Sequence, residues 1–299
     1  MSRTQLLALT GGSGFVGRHF AIAARARGYR IRHLARHESD AFEGDDEFQP
    51  LDLEKTDHPP SLLEGCAALV HLAAHIPRNH DDPAEAARCW RVNALGTLQL
   101  LAAAARAGVT HIVQTSSANA YAVSATPPRE DAALFPQSRG YYLGSKILQE
   151  IYAAHHARTA GAMLKTLRLA SVYGPGQQSG APAAMVRAAL AGGPVRITGD
   201  GGFGSDLVLV DDVAQALLIA LESEAGGAFN VGSGVRTTIA ALAQVLADIT
   251  HVPIRRDPAG DALPDWGFPA LNIDRMKAMG YRPTPLAEGL RAMLQSALR

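Results

Sequence analysis

Residues 5–17 read QLLALTGGSGFVG. The first six form a short apolar run that ends in glycines, the pattern of a buried strand. Glycine then occupies positions 11, 14 and 17. Apolar residues recur at helical spacing from Phe15 to Arg27 and stop at Gly28, which reads as a C-terminal cap. A strand, a G-x-x-G-x-x-G turn and a helix together make a site for a pyrophosphate at a helix N-terminus. In that reading Gly11 permits the tight turn. Gly14 removes a Cβ from the path of the phosphates, and Gly17 lets the helix close on the strand.

Outward from this turn the pattern repeats. Strand-like runs at 30–35, 67–73, 111–116 and 167–169 alternate with helical stretches at 84–107 and 142–160. The first of these helices weakens near 93–96. Such alternation predicts βαβ units. The expected fold is α/β, a Rossmann doubly wound parallel sheet with a smaller C-terminal α/β substrate lobe. The division is set at 1–170 for the cofactor domain and 171–299 for the lobe, with some later segments returning to the sheet. Past Tyr173, a Gly/Ser/Ala/Pro stretch reads as a long connection. Short strands are expected near 195–198, 207–210 and 229–231, with helices near 213–221, 239–249 and 285–298. Asp211 and Asp212 read as caps of the helix after them.

Composition narrows the function. Apolar residues make up 47% of the 299, enough for a sizeable core, and the 28 basic residues balance 28 acidic ones. That balance argues against nucleic acid as a partner. Cys66 and Cys89 form no CxxC pair, no HExxH occurs, and no metal is expected. No apolar run reaches the ~18 residues of a membrane span. The expectation is a cytoplasmic chain with a small-molecule substrate and no membrane or nucleic-acid partner.

The stretch 33–37 reads HLARH, with Ala35 where NAD enzymes carry an acid for the ribose hydroxyls. Arg36 suits a 2′-phosphate, so NADP is favoured over NAD. Asp52, after the third strand, is a candidate for the adenine amino group.

Tyr142 and Lys146 stand four apart in YLGSK, on one face if that stretch is helical. A phenol titrates near ~10, and a neighbouring ammonium favours the phenolate needed for a general base. Lysine is scarce here, 4 against 24 arginines, so its presence at this spacing carries information. Ser116 and Ser117 end the preceding strand. Ser117 is the preferred hydroxyl for the reacting oxygen, and one of the pair is expected to be a backbone cap. Trp266, between Pro264 and Pro269, is a candidate pocket residue or packing anchor.

These residues, with HLAA at 71–74, NALGT at 93–97, RLASVYGPG at 168–176, VDDVAQA at 210–216 and NVGSG at 230–234, resemble the extended short-chain dehydrogenases. The similarity is to the NAD-dependent epimerase/dehydratase family and covers nearly the whole chain. By that resemblance Ser117, Tyr142 and Lys146 are the catalytic trio. Gly11, Gly14, Phe15, Val16 and Gly17 form the phosphate loop, and Lys146 also holds the nicotinamide ribose. Asp52 and Leu53 flank adenine, and Ala73 and Ala74 pass beside the cofactor. His75, Ser117 and Asn119 face the substrate. Relatives often dimerise through the two long helices, so a homodimer is expected.

Departures from the family pattern matter as well. Ala118 and Asn119 stand where dehydratases carry Asp-Glu, so dehydration is not expected. Ser205 replaces an arginine that grips the diphosphate of nucleotide sugars, and Ser171 replaces an asparagine. Arg187 or Arg196 is a candidate substitute. The function implied is an NAD(P)-dependent oxidoreductase or epimerase acting on a secondary alcohol or ketone of a sugar-like or other small polyfunctional substrate. The alternatives are a nucleotide-sugar 4-epimerase and a non-catalytic NAD(P)-binding redox sensor.

Overall fold

The structure is a computed structural model and describes residues 5–258 and 267–298. Trp266 lies outside the described residues. In chain order the first elements are β1 (Leu6–Thr10), α1 (Phe15–Ala26), β2 (Arg30–Ala35), β3 (Glu47–Pro50), β4 (Ala68–His71) and α2 (Ala84–Cys89). Next come α3 (Gly96–Arg106), β5 (His111–Ser117), α4 (Gly140–Ala160), β6 (Met163–Leu169), β7 (Ser171–Tyr173) and α5 (Ala181–Leu190). β8 (Val195–Thr198), β9 (Gly204–Leu209), α6 (Val210–Glu222), β10 (Gly227–Val231) and β11 (Arg236–Thr238) follow. The chain closes with α7 (Ile239–Thr250), β12 (Ile254–Asp257), α8 (Asp274–Ala278) and α9 (Leu286–Ala297).

The chain forms two compact units. The first comprises Met1–Ala122, Ala132–Arg168 and Ala214–Phe229, and the second Val123–Asp131, Leu169–Val213 and Asn230–Arg299. The first unit carries a seven-stranded sheet in the order β10-β6-β5-β4-β1-β2-β3. From β3 to β5 neighbouring strands run parallel, with Thr10 opposite Leu34 on one side and His71 on the other. The strand order reverses at β1. In open parallel sheets a crevice forms outside the carboxyl ends of the strands at such a reversal. The Gly11 turn and the Leu72–Ala74 backbone leave the sheet there. Ala8, Leu34, Leu69, Leu100 and Ile112 build the core beneath it.

The helix expected across 84–107 is three pieces. Between α2 and α3 the backbone widens into a π-helical turn, Trp90–Leu95, that contains Asn93. Such bulges often mark functional positions.

The second unit holds a three-stranded sheet, β11-β9-β7, and the parallel pair β12-β8. Tyr173, Val186, Leu209, Leu246 and Leu290 form its core. The stretch read as a connection contains α5, with Pro182 in its first turn, where proline is tolerated. Asp211 and Asp212 do not precede their helix. α6 starts at Val210, and Asp212 instead accepts hydrogen bonds from Thr284 N and Oγ1, both at 2.7 Å. No helix among the described residues is long and apolar enough to cross a membrane.

Candidate active site

The glycine turn is shaped by close approaches. Gly11 has φ +72°, and a Cβ there would lie 2.7 Å from Ala73 N. A Cβ at Gly17 would lie 2.0 Å from Gly11 O. Within the turn, Ser13 and Gly14 are exposed. Gly14 begins α1 without a side-chain cap, and the first turn of the helix has no acidic residue. The N–H groups there remain available to an anion. A backbone cradle that tolerates no Cβ, opening onto an uncapped helix N-terminus, fits a dinucleotide pyrophosphate. Phe15 packs edge-on against His19, and Val16 is half-buried.

Just past the end of β2, Arg36 is exposed and forms no ion pair among the described residues. Its neighbours are engaged: Arg18 pairs with Asp40, and Arg25 with Asp46 and Glu43. Asp52 is half-buried and accepts from Glu54 N at 3.1 Å, while Leu53 belongs to the core.

Beneath the turn runs a polar chain that the motifs leave unexplained. Thr10 Oγ1 accepts from Leu72 N and Ala73 N, both at 3.2 Å. Those bonds use its two lone pairs, so its proton points to His71 Nδ1, 2.7 Å away. His71 Nε2 therefore carries the ring proton and donates to Thr97 Oγ1 at 2.8 Å, which donates to Asn93 O at 2.6 Å. Burial, assisted by the Lys146 charge, drives the His71 pKa down to about 3, so the imidazole is neutral.

Asn93 carries the chain onward. Its Oδ1 accepts from His75 N at 2.7 Å, and its Nδ2 donates to His75 O and to Ser145 Oγ, both at 2.9 Å. Ser145 in turn donates to Tyr142 O at 2.6 Å. His75 is thus fixed by its backbone, and its Nε2 is hydrogen-bonded to Glu85.

α4 is helical through Tyr142 and Lys146, so the two share a face. The helix begins two residues earlier than the sequence suggests, after Arg139 in a left-handed conformation (φ 52°). Burial pushes the Tyr142 phenol up to about 12. Cys89 adds to the rise and Arg139 opposes it. The expected lowering by Lys146 is not among these influences. Burial brings Lys146 itself down to about 8, opposed by Glu150. Lys146 Nζ donates to Thr115 O at 2.9 Å and to Gln149 Oε1 at 2.5 Å. Gln149 is held by Gln114, which donates to Thr166. Glu150 pairs with Arg168, whose Nη1 also donates to Tyr121 Oη at 2.8 Å.

Ser117 Oγ accepts from Asn119 N at 3.3 Å, so the backbone-capping serine is Ser117 itself. Its own proton is left to donate. Ser116 Oγ is buried without a partner. Ala73, Ala74 and Asn119 are half-buried. Ser171 opens β7 in the second unit, where Ser205 is also buried. Arg187 is exposed on α5 and donates to Gln178 O at 3.1 Å. The residues that sequence reasoning missed are Thr10, Thr97, Ser145, Gln149 and Glu85. Thr10, Thr97 and Ser145 stand inside QLLALTGGSGFVG, NALGT and YLGSK, whereas Gln149 and Glu85 carry no motif signal.

The family model for the NAD dependent epimerase/dehydratase family matches residues 7–232. A UDP-glucose 4-epimerase of Mycolicibacterium smegmatis is 32% identical over 94% of this chain and 95% of its own length. The crystal structure of the Thermotoga maritima UDP-glucose 4-epimerase with UDP-glucose is 28% identical, with a TM-score of 0.86 over 98% of this chain and 99% of that one. The Thermus thermophilus UDP-glucose 4-epimerase in complex with NAD is 26% identical, with a TM-score of 0.83 over 98% of both chains. By the turn, the fold and the extent of these matches, this chain belongs to the NAD-dependent epimerase/dehydratase family, among the extended short-chain dehydrogenases.

Proposed function

We propose that this chain is a nucleotide-sugar 4-epimerase that works by reversible oxidation of a secondary alcohol, with Tyr142 as general base and acid. The observation that carries the reading is the shared α4 face of Tyr142 and Lys146 in the unit that holds the glycine turn. The 32% identity to a UDP-glucose 4-epimerase across 94% of the chain favours a nucleotide sugar, despite Ser205 and Ser171.

In this mechanism Gly11, Gly14, Phe15, Val16 and Gly17 bind the pyrophosphate. Asp52 and Leu53 flank the adenine, Ala73 and Ala74 line the dinucleotide, and Lys146 grips the nicotinamide ribose. A nicotinamide held there supplies reversible hydride acceptance and, when oxidised, a positive charge that favours the Tyr142 phenolate. Tyr142 takes the proton from the substrate hydroxyl and returns it to the same oxygen. Ser117 donates a hydrogen bond to that oxygen and fixes its distance from the phenol. His75 and Asn119 border the sugar. Ala118 and Asn119 offer no acid for dehydration.

The test is interconversion of UDP-glucose and UDP-galactose by the purified protein, without net change in reduced nicotinamide. Tyr142→Phe is expected to lower turnover about 10²–10⁴-fold while the protein still binds the dinucleotide. A wild type inactive on both sugars, or an active Tyr142→Phe variant, would sink the reading.

A second reading rests on Arg36. Exposed and without an acidic partner among the described residues, it supports acceptance of a 2′-phosphate and so a freely exchanging NADP-dependent reductase. Titration with NAD and NADP decides: tighter NADP binding, lost on Arg36→Ala, favours the reductase, whereas tight NAD retained after purification favours the epimerase.

A further inference from the structure

One side chain beside Tyr142 belongs to no motif. His80 lies between β4 and α2, and its ring meets the Tyr142 ring edge-on, with centroids 6.2 Å apart and an interplanar angle of 63°. His80 Nδ1 is buried and has no hydrogen-bond partner. Three other histidines, His33, His58 and His156, also bury an unpartnered ring nitrogen. None of those three packs its ring on a residue of the catalytic trio.

Packing alone does not call for histidine here, since phenylalanine would offer the same edge to Tyr142. A buried polar atom without a partner is costly, and each one calls for a physical reason, such as a catalytic role, an ion or water. The charged and titratable groups acting on His80 are Tyr142 and Arg139 at the head of α4 and Asp81 on its own segment. Burial and Arg139 lower its pKa against the opposing effect of Asp81, so the ring is neutral near pH 7. A neutral imidazole has one N–H and one lone pair, and its tautomer follows its partner. A sugar hydroxyl both donates and accepts, so it satisfies either form.

We propose that His80 is a substrate-binding residue whose Nδ1 hydrogen-bonds the sugar hydroxyl next to the reacting carbinol, while its ring edge holds Tyr142 in position. The inference rests on the nucleotide-sugar reading and deepens it by assigning a hydroxyl contact within the site. It makes His80 a determinant of which hexoses turn over.

The experiment is a cycle between side chain and substrate. Wild type and His80→Phe are each assayed on UDP-glucose and on its 3-deoxy analogue, which lacks the hydroxyl beside C4. His80→Phe is expected to lose about 10- to 100-fold in kcat/KM on UDP-glucose, chiefly in KM, with affinity for the dinucleotide within about twofold of wild type. The deoxy analogue should cost wild type a similar factor and cost His80→Phe almost nothing further. His80→Asn, whose amide lies near the place of Nδ1, should recover most of the loss. Independent, multiplying losses would overturn the contact and leave His80 as packing only. A His80→Phe enzyme equal to wild type would overturn the inference while leaving the epimerase reading intact. A wild type inactive on UDP-glucose would end both.

Discussion

The two units bury their polar side chains in different ways. In the first, alongside the backbone contacts of Thr10 and Asn93, side chain bonds to side chain across several elements. Gln114, Gln149 and Lys146 link β5 to α4, and Glu150, Arg168 and Tyr121 link α4 to β6. In the second, a single side chain collects backbone donors from separate loops. Asp206 Oδ1 takes Ser233 N and Oγ, both at 2.7 Å, and its Oδ2 takes Gly234 N at 3.0 Å and Leu271 N at 3.1 Å. Networks of the first kind fix the position and charge of a reacting group, because each member orients the next. Clamps of the second kind fix a chain path. On the proposed function the first unit is organised around chemistry, and the second is organised around loop shape.

The largest effect should come from breaking a network. Arg168→Met leaves the buried Glu150 carboxylate without its guanidinium, and unfolding in urea should show a loss of about 3–5 kcal/mol. The double variant Glu150→Leu/Arg168→Met should recover most of it, since no lone charge is then buried. A single variant costing under about 1 kcal/mol would erase the contrast between network and clamp.

A clamp should cost less. In Asp206→Asn one oxygen becomes an amide nitrogen facing backbone N–H groups that cannot turn away. At least one of these donors is left unsatisfied, for an expected loss of about 2 kcal/mol. Hydrogen exchange should quicken at Gly234 and Leu271 but not across β1 and β4. Equal quickening in both units would show that the clamp is not local.

The contrast also explains what the sequence revealed. β1, β2, α1, β5 and the Tyr142–Lys146 face were legible because period and spacing encode them directly. The short strands β7, β11 and β12 were not, since three or four residues carry too little alternation to stand out. α5 was hidden because its alanines and proline look like a connection, although both suit a helix start. Ser117, Tyr142 and Lys146 lie in recognisable strings, but Gln149 and Glu85 reach the site only through side-chain contacts across the fold. The Tyr142–Lys146 spacing alone points to a lowered phenol pKa, but burial acts on Tyr142 more strongly than any neighbouring charge and raises it.

His71 tests whether the first unit's network sets protonation. With a pKa of about 3 in the folded chain against about 6.5 unfolded, only the unfolded state takes up the proton between those values. The residue costs nothing above pH 6.5. Its share of stability falls by up to about 1.4 kcal/mol per unit as pH drops below that and levels off under pH 3. Nitrogen-15 spectra of labelled histidine should show Nε2 protonated, Nδ1 bare and no titration from pH 8 to 5. A His71 signal that titrates near 6.5 would mean the chain from Thr10 to Asn93 does not form.

The smallest effect separates two carboxylates within the second unit. Asp212 is also a buried clamp, but its two bonds go to one residue, Thr284 N and Oγ1. In Asp212→Asn the amide oxygen can keep Thr284 N. The amide nitrogen can donate to Thr284 Oγ1, which only has to rotate its proton. No backbone donor is stranded. Burial raises the Asp212 pKa despite the Thr284 bonds, so its charge is a burden that the amide removes. The variant should lie within about 0.5 kcal/mol of wild type at neutral pH. Its relative stability should improve as pH rises through the raised pKa, because the wild-type carboxyl then ionises in a site that disfavours the charge. If Asp212→Asn cost as much as Asp206→Asn, the freedom of one hydroxyl to rotate would not be what distinguishes the two clamps.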